Sequence, residues 1–107
     1  MKKLVRDNIP AILKKNNLVY KAKVLINDRH YLSALHEKLI EEVDELIEAS
    51  NTKPDEKVKE EVADVLEVVN ALCQLKNYDL NEIETYRLRK KEQKGGFEKR
   101  IFLFLED

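Results

Sequence analysis

Twice in the middle of this chain, apolar residues recur at the roughly 3.6-residue interval of an amphipathic helix. Leu32, Leu35, Leu39, Val43, Leu46 and Ile47 fall on one stripe and predict a helix from about Asp28 to Ser50. Val58, Val62, Val65, Val69 and Leu72 predict another from about Pro54 to Leu75, with Pro54 in an acid-rich first turn. Before them, Asn8 to Lys15 reads as a short helix with Pro10 in its opening turn, stopping near Asn16-Asn17. After them, Asp79 or Asn81 caps a helix running through Tyr86 to about Gln93, where Gly95-Gly96 ends it. Two stretches follow a different pattern. Leu18 to Ile26 alternates, with Tyr20, Ala22 and Val24 opposed to Lys21 and Lys23, and predicts a short strand. Phe97 to Leu105, with the run Ile101 to Leu105, predicts a buried strand paired with Leu18–Ile26 or with a second subunit's copy of it. The expected fold is mostly α: a four-helix bundle centred on an antiparallel hairpin, with a small two-stranded β element.

At 107 residues the chain is expected to be one domain, 1–107. From Val65 onward the third helix is apolar on almost every side, including Ala71 and Leu75, so a homodimer or larger homo-oligomer is expected to cover it. Lys+Arg 20 nearly cancel Asp+Glu 21, so no global field points to a nucleic-acid polymer or a membrane surface. The lone Cys73 has no partner for an internal disulfide, and no window approaches the roughly 18 apolar residues of a membrane span. A soluble cytoplasmic protein is the expectation.

The polar side of the central helices carries the candidate chemistry. Glu41-Glu42-Val43-Asp44-Glu45 is nearly repeated by Glu60-Glu61-Val62-Ala63-Asp64 on the next helix. Glu42/Glu45 and Glu61/Asp64 are each three apart, which places each pair on one helix face. Such spacing suits either two solvated acidic faces or a shared site for a hard divalent cation such as Mg²⁺, with Mn²⁺ also compatible. Duplication, matched spacing and a position at the apolar border favour the metal. Neither His30 nor His36 lies in an E-x-x-H pattern, which disfavours a paired-iron centre.

E-x-x-E, fifteen residues, then E-x-x-D resembles the signature of the all-α nucleoside triphosphate pyrophosphohydrolases, a group that includes MazG-like proteins, dimeric dUTPases and phosphoribosyl-ATP pyrophosphohydrolases. Lys3-Leu4-Val5-Arg6-Asp7-Asn8-Ile9-Pro10, Lys38-Leu39-Ile40-Glu41-Glu42 and Lys94-Gly95-Gly96-Phe97 look more narrowly like its house-cleaning branch, which acts on noncanonical nucleotides. The resemblance implies cleavage between the α and β phosphorus atoms, giving a nucleoside monophosphate and pyrophosphate. It implies Glu42, Glu45, Glu61 and Asp64 as metal ligands. Glu41 would complete the ligand set or take the proton of the attacking water, although on an ideal helix it points away from Glu45. Lys3, Arg6, Lys38 and Lys94 are candidate phosphate contacts, Lys94 beside the backbone of Gly95 and Gly96, and Asn70 is a candidate for the base or ribose. The alternatives are phosphoribosyl-ATP hydrolysis, which the same carboxylates would serve, and a non-enzymatic helical interaction or nucleotide-sensing module.

Overall fold

The computed structural model describes residues 2–106. Its secondary structure is four helices, α1 (Ile9–Lys15), α2 (Asp28–Thr52), α3 (Asp55–Leu75) and α4 (Leu80–Lys94), with no strand among the described residues. The chain divides into two compact units, Met1–Lys76 and Asn77–Asp107.

Local chemistry sets the helix ends of the first unit. α1 closes where Asn17 turns left-handed (φ 59) and the Leu18 N–H reaches back to the Leu13 carbonyl at 3.0 Å. The Asn27 side chain caps α2 by accepting from the N–H groups of Arg29 (2.9 Å) and His30 (3.1 Å). α2 stops at Thr52 because Lys53 precedes a proline and is held extended. Pro54 is the N-cap of α3 rather than a member of its first turn, and Asp55 and Glu56 then favour the positive end of the helix.

With only Lys53 and Pro54 between them, α2 and α3 fold back on each other as an antiparallel hairpin. Their contact is a narrow seam. On α2, Leu35, Glu42 and Ala49 are buried at seven-residue intervals, with Leu39 and Leu46 half-buried between them. On α3 the matching series is Val58, Glu61, Val65, Val68, Leu72 and Leu75, of which Val68 is buried and the rest half-buried. This alternation of four- and three-residue steps is the pattern of two helices in knobs-into-holes contact. It corrects the broader stripes expected above: Val43, Ile47, Val62 and Val69 lie on the flank and stay exposed. Cys73 is buried and free, as a small apolar side chain would be.

The two expected strands are absent. Leu18–Ile26 has no regular secondary structure and no ladder partner, and Val19, Val24 and Ile26 project into solvent. In the second unit, the turn closed by Arg100 N–H to Phe97 carbonyl (3.0 Å) leads into Ile101–Leu105, which is likewise without regular secondary structure and exposed. An alternating pattern fits a strand but cannot create the neighbouring strand on which a ladder depends. α4, also in the second unit, begins where Asp79 accepts from the Asn81 N–H (2.9 Å) and ends at Gly95 (φ 85).

Candidate metal centre

The hairpin puts a carboxylate into its own seam on each side. Glu42 occupies an α2 seam position that an apolar residue would normally fill and is 6% exposed, while Glu61 does the same on α3 and is half-buried. One oxygen from each of Glu42, Glu61 and Asp64 lies within 4.8 Å of the others, and the same holds for Glu41, Glu42 and Glu45. Glu42 belongs to both groups and joins them. All five predicted acids therefore converge, from both helices. Glu41 departs from the expectation that it points away, because residues four apart lie on one face of a helix and the spacing brings it beside Glu45.

Cations stand at the edges of this cluster. Lys38, one turn before Glu42, lies 3.2 Å from Glu42 Oε1 and 3.5 Å from Glu41 Oε2. Burial works against its charge, but the hydrogen bonds and charges of Glu42 and Glu41 outweigh it and hold the Lys38 amine above its ordinary pKa. From the N-terminal segment, Lys3 donates to Glu41 Oε1 at 3.4 Å and Arg6 to Asp64 Oδ1 at 2.7 Å. Lys3, Arg6 and Lys38 thus all reach the acids.

Two observations point to a positive guest at the centre. Glu42 Oε2 and Glu61 Oε2 are buried and have no hydrogen-bond partner, and a buried unpaired carboxylate oxygen is costly. The Glu45 carboxyl is pushed up to about 7, first by desolvation and then by a hydrogen bond to Glu42 and by the charges of Glu42, Glu61 and Glu41. The donor set fits a hard divalent cation: all the candidate ligand atoms are carboxylate oxygens, and they converge from both helices.

Asn70 is half-buried on α3 and lines a shallow recess with Arg6, Ala63, Leu66 and Glu67. Glu67, which the sequence reading passed over, lies 3.7 Å from Arg6 Nη1. Its signal was its position three residues beyond Asp64, the spacing that marks the other pairs. Lys94, Gly95 and Gly96 belong to the second unit, where Lys94 is the last residue of α4 and the Gly95 N–H closes it on the Lys91 carbonyl at 2.8 Å. Their capping role is visible there.

Fold and site together define an all-α protein whose acidic helix pair is suited to phosphate chemistry assisted by a divalent metal. Residues 31–95 match the family model of the MazG nucleotide pyrophosphohydrolase domain, and the chain belongs to that family. The match spans every acid of the cluster but not Lys3, Arg6 or Gly96. No curated protein and no solved structure matches the chain. Membership supports nucleotide pyrophosphohydrolase activity in general, and with it a nucleotide substrate and a divalent metal. Among the described residues, no helix is long and apolar enough to cross a membrane.

Proposed function

We propose that residues 1–107 act as one Mg²⁺-dependent domain that cleaves the α–β phosphoanhydride of nucleoside triphosphates, releasing a monophosphate and pyrophosphate, in the house-cleaning removal of noncanonical nucleotides. The observation that carries this reading is the pair of buried, unpartnered oxygens, Glu42 Oε2 and Glu61 Oε2, on two converging carboxylates. Glu42, Glu45, Glu61 and Asp64 hold the metal. Bound there, Mg²⁺ supplies charge neutralisation for the phosphates and a more acidic water. Lys3, Arg6 and Lys38, already drawn to the cluster by its acids, bind phosphate oxygens as the triphosphate arrives. Glu41, outside the Glu42, Glu61 and Asp64 group and fixed by Lys3 and Lys38, takes the proton of the attacking water. Asn70 faces the base or ribose.

The working form is a cytoplasmic homodimer or larger assembly. Ile40, Val43 and Ile47 on α2 and Val62, Leu66 and Val69 on α3 leave apolar surface exposed on both helices, in keeping with a second copy as cover. A near-neutral balance of charges agrees with a small-molecule substrate rather than a nucleic-acid polymer. Pyrophosphate release from a panel of standard and modified triphosphates, with phosphoribosyl-ATP included, tests the proposal. Release in Mg²⁺ but not in chelator, with a preference for a modified triphosphate, supports it; a preference for phosphoribosyl-ATP replaces the substrate, and silence across the panel moves the weight to a sensor or interaction module.

A further inference from the structure

The guanidinium of Arg6 is forked between two carboxylates of α3, Nη2 to Asp64 Oδ1 at 2.7 Å and Nη1 to Glu67 Oε2 at 3.7 Å. Three residues earlier, Lys3 reaches Glu41 on α2. The segment from Lys3 to Arg6 therefore straddles the two acid-bearing helices, tied to α2 at one end and to α3 at the other, with Leu4 half-buried between. We infer that Glu67 is a positioning residue: it holds Arg6 beside the carboxylate cluster so that the guanidinium meets the nucleotide phosphates already oriented. This rests on the reading of Asp64 as a metal-holding residue and of Arg6 as a phosphate contact.

The argument turns on the different duties of the two acids. A carboxylate that shares its charge with a divalent cation has less left for a guanidinium, so Asp64 alone is a weak tether for Arg6 when the site is in use. Glu67 has no such second duty, because it belongs to neither group of converging acids. It also lies on the outer side of Asp64, one helical step toward the recess that Arg6, Ala63, Leu66 and Asn70 line with it. Both members of the Arg6–Glu67 pair are about half exposed, 55% and 51% at their side chains, so the pair adds little to folding stability. Its effect lies in where Arg6 waits, and an exposed pair of this kind changes an affinity by about two- to fivefold.

The test is Glu67→Gln, which keeps shape and removes charge. Expected are a two- to fivefold rise in KM for the triphosphate with kcat within twofold, an unchanged Mg²⁺ affinity by calorimetry without nucleotide, and faster hydrogen exchange of the Ile9 amide, whose N–H bonds the Arg6 carbonyl at 3.0 Å, in nucleotide-free protein. Arg6→Gln combined with Glu67→Gln should match Arg6→Gln alone in both KM and exchange, because Glu67 acts through Arg6. Additive effects in the double variant, or unchanged exchange in Glu67→Gln, overturn the inference. If wild-type protein releases no pyrophosphate at all, the catalytic reading falls, and with it the role at the phosphates, while the exchange measurements still decide whether Glu67 orders the segment through Arg6.

Discussion

Replacing Glu61 with leucine should make the metal-free protein more stable and end its response to metal. Glu61 sits in the α2–α3 seam between Val58 and Val65, with a buried Oε2 that nothing satisfies. Leaving such an oxygen unpaired costs about 1–3 kcal/mol. Its carboxylate also faces that of Glu42 within 4.8 Å. At an effective dielectric near 20 two unit charges at that separation repel by about 3.5 kcal/mol, part of it cancelled by Lys38 beside Glu42. Leucine has a similar volume and restores the apolar seam pattern, so the net gain expected for Glu61→Leu in chelator is about 1–3 kcal/mol, a rise in Tm of roughly 4–8 °C for each kcal/mol. Urea denaturation at one protein concentration, with chelator and then with Mg²⁺, reads both effects. Wild type should gain about 2.7 kcal/mol at a metal concentration 100 times Kd, and the variant nothing. A variant less stable than wild type in chelator, or one that keeps the gain from metal, would refute the reasoning that the seam carboxylate exists to hold a cation.

Three further outcomes are expected. In chelator, the contribution of Glu45 to stability should be fully present below pH 4.5 and fall as pH rises to about 7: the folded Glu45 keeps its proton up to about 7 whereas the unfolded chain releases it near 4.5, so the folded state binds more protons between those values. Urea midpoints across that range check this, and the same slope in Glu45→Gln would assign it elsewhere. Gly95→Ala meets no atom within 4 Å but puts a side chain at φ +85, so it should lose about 1–3 kcal/mol and speed amide exchange in the last turn of α4; unchanged exchange would contradict the strained-cap account. Cys73, 5% exposed, should resist a bulky thiol reagent until the protein is denatured, and rapid labelling of native protein would place it at the surface.

Helices were legible because they are local: periodicity and caps place every one within a residue or two, with Asn16-Asn17, Asp79 and Gly95 acting as read from the sequence. The convergence of Glu42, Glu45, Glu61 and Asp64 was legible for the same reason, since i, i+3 pairs on consecutive helices need only a hairpin to meet. Strand pairing was not, because Leu18–Ile26 and Ile101–Leu105 show the pattern without a neighbour that no local rule supplies. The expectation that Glu41 points away from Glu45 fails on helix geometry itself, since residues four apart share a face. Glu67 escaped notice because its meaning depends on Arg6, and the contact that brings Arg6 to α3 spans 58 residues of sequence in the case of Asp64.

The central claim is that the acids in the α2–α3 seam serve a metal-dependent cleavage between the α and β phosphates. Phosphorus NMR of one reaction, a triphosphate that the panel shows to be turned over, incubated in Mg²⁺ with wild-type protein and with Glu61→Gln, tests it most directly. The account predicts monophosphate and pyrophosphate from wild type, no diphosphate, and no turnover by the variant. Diphosphate and orthophosphate as products, or equal turnover by Glu61→Gln, would contradict it.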